Sequence, residues 1–158
     1  MTSSAEIRTK LNHPVIDADG HWLEPVPIFL EFLEAEGGSA MVDRFRENKR
    51  REDVWYDLTA EERLARRLRR PTWWGEPANT RDRATAMVPG LMYERLPEFG
   101  VDFAVVYTTL GLVQGSIPDN ELRPIVCRAL NKMNAELFAP YADRMTPVAA
   151  IPMHSPHE

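Results

Sequence analysis

Cysteine is almost missing from this chain. Among 158 residues there is one, Cys127, so no intrachain disulfide can form. No apolar run approaches the roughly 20 residues that span a bilayer, and the opening MTSSAEIRTK has no apolar core of the kind a secretory signal needs; a cytoplasmic location is therefore expected. Positive charge is in deficit, with 19 Lys and Arg against 24 Asp and Glu and a net charge of −5. That balance gives no general attraction to phosphate backbones or anionic lipid, so the expected partners are small molecules or other proteins, with no nucleic acid and no membrane. Neither G-x-G-x-x-G nor G-x-x-x-x-G-K-[ST] follows any predicted strand, which argues against a nucleotide-binding half-domain. Internal repeats and low-complexity tracts are also absent.

What is present reads as an ordinary globular composition, 44% hydrophobic and 27% charged, of a length that suits one domain. HPVIDAD, residues 13–19, is a short apolar stretch ending in polar residues before Gly20, and predicts a buried strand with its chemistry at the C-terminal end. Ile28, Phe29, Phe32 and Leu33 then repeat at helical spacing up to the stop at Gly37-Gly38. Residues 39–88 break this rhythm with charge runs and an aromatic pair, and read as a helical, charged insertion. Within it Thr59 and Glu62 have capping-box spacing. A helical piece over 84–99 runs into Gly100, which suits a C-terminal cap. The near-continuous apolar run VDFAVVY predicts a parallel strand covered on both faces. Asp119 or Asn120 can cap a long helix over 121–139, and MTPVAAIPM gives a third strand. Strands alternating with helices imply parallel β-α-β units.

The stretch VIDADGHWLEP, residues 15–25, carries the chemistry. Alternation along a strand would place Asp17, Asp19 and His21 on one side and Ile16, Ala18 and Gly20 on the other. A carboxylate and an imidazole two residues apart at a strand end can reach one cation, at roughly 2.0–2.2 Å if it is zinc. The same spacing can instead be a turn in which the aspartates accept local backbone N–H groups. Asp17, lying deeper, reads as a hydrogen-bonded structural carboxylate. Glu24, just past the ligand pair, could face the site, but reads rather as an exposed carboxylate near the helix start, where it favours the dipole. His154, past the third strand, lies at the same end of the sheet and is a candidate to line a substrate cavity; the His154, His157 and Glu158 cluster sits in a terminus prone to fraying. Trp73 and Trp74 read as packing of the insertion or as part of a lid. The arginine-rich runs 44–51 and 66–70 read as solvated helix faces, and Cys127 as a small buried side chain.

Taken in order, VIDADGHWLEP, ERLPEFGVDFAVVYTTLG, CRALNKMNAELFAPYADR and MTPVAAIPMHSP resemble the N-terminal part of the amidohydrolase-related family of metal-dependent hydrolases and nonoxidative decarboxylases. The resemblance implies an α/β fold that is a partial (β/α)₈ TIM barrel, about its first three strands. It implies Asp19 and His21 as two ligands of a divalent metal, zinc with manganese or magnesium as alternatives, and His154 beside the substrate. The implied substrate is a small molecule, carboxylated or aromatic, and the full-length enzyme would form a homo-oligomer. Barrels of this kind take roughly 250 residues, and the family's later metal-binding His and catalytic Asp have no counterpart in the sequence. The expectation is thus a single incomplete barrel domain over residues 1–158, inactive alone. The alternative is a small α/β binding or interaction protein without catalysis. A three-stranded sector with bare edges would associate, whereas a self-sufficient domain would be a cooperative monomer.

Overall fold

Three short strands, each ending at the same side of the molecule, organise the chain. The structure is a computed structural model that describes residues 2–52, 58–65, 79–155 and 157. Strand β1 is Ile16–Trp22, β2 is Phe103–Thr108 and β3 is Met145–Pro147; they form one parallel sheet in the order β1-β2-β3. The helices are α1 (Ser4–Arg8), α2 (Val26–Gly37), α3 (Ser39–Glu52), α4 (Ala60–Ala65), α5 (Thr80–Met87), α6 (Pro89–Phe99), α7 (Gly111–Gln114) and α8 (Leu122–Phe138), with a 3₁₀ turn at Ala139–Tyr141. The fold is mixed α/β. Among the described residues no helix is long and apolar enough to cross a membrane.

The expected helix after the first strand is α2. Pro27 lies in its first turn, where a missing N–H loses no bond, and Gly38 ends it at φ 79°. The long helix is α8. Asp119 is its cap, because Oδ1 accepts from the N–H groups of Glu121 and Leu122, both at 3.0 Å. Gly100 closes α6 in the left-handed region at φ 72°. The capping box at α4 forms as its spacing predicts: the Thr59 N–H donates to Glu62 Oε2 at 2.8 Å and the Glu62 N–H to Thr59 Oγ1 at 3.2 Å.

Four expectations need correction. The helical piece over 84–99 is two helices, since Pro89 forces the preceding Val88 into extended backbone (φ −120°, ψ 104°) and separates α5 from α6. The first strand starts later and runs through Gly20 to Trp22. The third strand is only three residues long, with the Val148 N–H still donating to the Val106 carbonyl at 2.9 Å; beyond it Asn131 holds the chain, accepting from the Ala150 N–H and donating to its carbonyl. Finally, among the described residues β2 is fully buried on one face only. Ala104, Val106 and Thr108 are buried, whereas Phe103, Val105 and Tyr107 are partly open.

The covered face holds the core. Ala104, Val106 and Met145 from the strands meet Met92 and Leu96 of α6 and Val126, Leu130, Met133 and Phe138 of α8. Trp22 joins them with its ring edge-on to Phe138, centroids 5.2 Å apart. Both crossovers therefore pack on the same side of the sheet. The start of the 39–88 segment belongs to this core, since Val42 and Phe45 of α3 are buried in it and Phe45 meets Phe29 of α2 at 5.1 Å. Arg44 ties α3 to the cap of α8 through Asp119 and Glu121.

Candidate functional site

The pairing of β1 with β2 is regular at both ends and irregular in the middle. Ile16 and Asp17 pair with Phe103 and Ala104, and Gly20, His21 and Trp22 pair with Val106, Tyr107 and Thr108. Ala18 and Asp19 together stand against the single Val105, which makes a bulge in β1. Side chains of paired residues in parallel strands share a face, so the extra residue changes which way each group points. Asp17 falls on the covered face with Ala104; His21 falls on the open face with Tyr107. The expectation that Asp17 shares a side with His21 is thus corrected, because the bulge breaks the alternation on which it rested. From Gly20 onward alternation resumes, which leaves Asp19 and His21 on either side of Gly20 and on the open face.

Asp17 caps the bulge, its Oδ1 accepting from the Asp19 N–H at 3.0 Å. This is the local turn bond that the D-x-D spacing allows. The Asp17 side chain also lies over Gly20, and Asp17, Gly20 and His21 all line a cleft of about 340 Å³ with Met92, Leu96 and Val106. Asp19 is exposed. His21 is half-buried; its ring stacks on Tyr107 with centroids 5.7 Å apart and planes 29° apart, and Nδ1 lies 3.4 Å from Thr109 Oγ1.

Glu24 departs from the exposed position that the sequence favours. Rather than an exposed carboxylate, it is 6% exposed and accepts three backbone N–H groups from the turn after β2. Oε2 takes Thr109 at 3.0 Å and Leu110 at 2.8 Å, and Oε1 takes Gly111 at 3.1 Å. Burial raises its pKa, and the amides of Leu110, Gly111 and Thr109 pull against that rise. No signal in the sequence could have found this arrangement, since the three donors lie some 85 positions along the chain and only the pairing of β1 with β2 brings them together.

His154 is exposed in the turn after β3, at the same end of the sheet. That turn is held by the Met153 N–H, which donates to the Gly115 carbonyl at 3.0 Å. Around it Leu112, Val113, Ile151 and Met153 are more than half exposed. Cys127 is buried, as its helical position predicts. Lys49, Arg50 and Arg51 as side chains, and Arg66, Arg67, Arg69, Arg70, Trp73, Trp74 and Glu158 altogether, lie outside the described residues. Among the described residues no three of His, Cys, Asp and Glu gather closely enough to hold a metal ion. No family model, curated protein or solved structure matches the chain.

Proposed function

We propose that the C-terminal end of β1 is half of a divalent-metal site, with Asp19 and His21 as two protein ligands, in a hydrolase or nonoxidative decarboxylase of the amidohydrolase-related kind, and that the three strands are one sector of a (β/α)₈ barrel. One observation carries the reading. A carboxylate and an imidazole flank Gly20 on the open face of a parallel sheet, at the end where all its strands finish, which is where α/β folds place their chemistry. The barrel reading has separate support: parallel sheets are ordinarily covered on both faces, and among the described residues this one has helices on one face, a second face that is partly open, and no further strand beyond β1 or β3.

The donor types suit a divalent cation, since a carboxylate oxygen and a neutral imidazole nitrogen both ligate zinc. The number falls short of the three protein ligands of a catalytic zinc site. A cation held at such a site polarises a substrate oxygen or activates water. The residues of this chain hold and orient: Tyr107 backs the His21 ring, Glu24 fixes the turn beside it, and His154 stands on the side from which a carboxylated or aromatic substrate would approach. With two ligands the isolated chain is expected to bind metal weakly and to show no metal-dependent turnover.

Calorimetric titration with Zn²⁺ tests this. Wild type should bind one equivalent, and Asp19→Asn and His21→Ala should each abolish binding; Zn²⁺ uptake that survives both substitutions overturns the assignment. The lack of a third ligand among the described residues favours a second reading, a small α/β binding protein without catalysis. That reading predicts no Zn²⁺ binding and a monomer.

A further inference from the structure

The cleft that Asp17 lines is roomier than an ion needs, and its charges do not balance. Its volume of about 340 Å³ falls within the roughly 300–1,000 Å³ of small-molecule pockets, whose walls are mostly apolar with a few polar groups that orient the ligand. Met92, Leu96 and Phe99 of α6 and Ala104 and Val106 of β2 form such a wall. With His21 neutral, the charged groups of the lining are Asp17, Asp82 and Arg95, a surplus of one negative charge. Arg95 is already engaged: Nη1 donates to Asp82 Oδ1 at 2.9 Å and to Thr85 Oγ1 at 2.5 Å, and Nε donates to Glu98 Oε2 at 2.9 Å. The Thr85 hydroxyl in turn donates to the Arg81 carbonyl at 2.8 Å. Asp17 is the charge left over. Its Oδ1 accepts from the Asp19 N–H at 3.0 Å, and among the described residues Oδ2 has no hydrogen-bond or ion-pair partner. Gly20 leaves that oxygen uncovered, since a Cβ there would lie 3.2 Å from it. A partly buried carboxylate oxygen beside an apolar wall loses hydration that no protein group returns.

We propose that this cleft binds a small organic ammonium ion, a primary amine on an aryl or short alkyl body, whose N–H groups donate to Asp17 Oδ2 while the body lies against Met92, Leu96 and Phe99. The lining selects the sign of the ligand. An anion would face Asp17 and Asp82 with only an engaged guanidinium to meet it, and a neutral molecule of the same shape would give up the charge-assisted bond to Oδ2. The Met92 thioether and the Phe99 ring suit an aryl body, through sulfur–aromatic and edge-to-face contact. His21 belongs both to this lining and to the proposed metal pair, but the ammonium ion pairs with Asp17, so the inference goes beyond the metal reading and needs no metal.

The experiment is titration with three probes of one shape and different charge, 2-phenylethylammonium, 2-phenylethanol and 3-phenylpropanoate, read from the ¹³C-methyl signal of Met92 with EDTA present. In wild type the ammonium should shift that signal saturably, and the alcohol and the carboxylate should bind about tenfold more weakly or worse, the scale of one hydrogen bond to a charged group. Asp17→Asn keeps an acceptor oxygen for the Asp19 N–H and removes only the charge, so it should weaken the ammonium about tenfold, to the level of the alcohol, and leave the alcohol unchanged. Ala86→Leu adds bulk to another lining residue and should weaken both. No saturable shift with the ammonium, an alcohol or carboxylate that binds wild type as tightly, or an ammonium preference that survives Asp17→Asn overturns the proposal; the first two are read on wild type alone and do not depend on a variant folding. Zn²⁺ titration of the same protein without EDTA judges the metal reading separately. Ammonium binding in a chain that takes up no Zn²⁺ removes the metal and leaves the cleft, and Zn²⁺ uptake with no ammonium-induced shift at Met92 does the reverse.

Discussion

Asp17 and Gly20 share the covered face of the first strand so closely that a Cβ on Gly20 would lie 3.2 Å from Asp17 Oδ2 and 3.1 Å from the Val105 carbonyl oxygen. The carbonyl is fixed by the β2 ladder, so relief has to come from the Asp17 side chain, which is the group that caps the bulge. Gly20→Ala should therefore displace Asp17, loosen the bulge and destabilise the fold by about 1–3 kcal/mol, the range for overpacking. Chemical denaturation together with loss of protection at the Asp19 amide checks it. An unchanged midpoint and an unchanged amide would show that the bulge does not depend on this contact.

Glu24 gives a pH signature of unusual sign. Burial holds its folded-state pKa above the ordinary 4.5, so in the window above 4.5 the folded chain keeps a proton that the unfolded chain has released. The associated stability is fully present below 4.5 and is lost as pH rises through the folded value. Melting temperatures of wild type should fall across that window, and Glu24→Gln should flatten the fall. Equal slopes in the two proteins would remove Glu24 as its source. Glu24→Ala tests the contacts themselves: three amides lose their acceptor, and a loss of about 1–3 kcal/mol follows from even one buried donor left unsatisfied.

Periodicity made the helices and strands readable, and it fails where tertiary pairing decides. Phe29 and Leu33 of α2 and Val126, Leu130 and Met133 of α8 announce their buried faces in sequence, and each is buried. Gly38, Gly100 and the pair Thr59 and Glu62 are local stop and start signals that the structure uses as written. Two local signals were present and overlooked. Ser3 and Glu6 form a capping box that opens α1, and Pro89 marks the break between α5 and α6. The bulge at Ala18 and Asp19 is different, since it exists only in the register with Val105. The sequence already marks Asp17 as a hydrogen-bonded structural carboxylate, but its face and the burial of Glu24 follow from that register and from the turn at 109–111, so no pattern within residues 15–25 could show either. The apolar run of β2 misled for a related reason: Phe103, Val105 and Tyr107 are as apolar as a covered face requires, but no described element lies over them.

Asp102 joins the N-terminal helix to the sheet. Its carboxylate accepts from Arg8 Nε and, at 2.7 Å, from the Val15 N–H just ahead of β1. The Arg8 hydrogen bond, seconded by the Val15 amide, holds its pKa below the ordinary 3.8. A depressed carboxylate stabilises the fold above its unfolded pKa, and that contribution is lost as pH falls through the folded value. Acid unfolding of wild type should thus include a step that Asp102→Asn lacks, and the Val15 amide should exchange faster in the variant. Identical acid transitions, with Val15 equally protected, would mean that α1 is held by its other contacts.

The open face of the sheet predicts association. Ile16 is 59% exposed on an edge strand and shares its face with Phe103, Val105 and Tyr107, and a β edge with unpaired N–H and C=O groups is a template for another strand. Burying this apolar surface against a second copy, or against strands that continue the sheet, removes both the exposed area and the unpaired edge. Wild type should therefore show concentration-dependent mass in light scattering after size exclusion. Ile16→Lys puts a charge on the edge, the device by which natural sheets resist pairing, and should raise the dissociation constant by about tenfold or more, equivalent to about 1.4 kcal/mol. A wild-type chain that stays monomeric at high concentration would instead mean that three strands covered on one side suffice, and would count against the barrel sector.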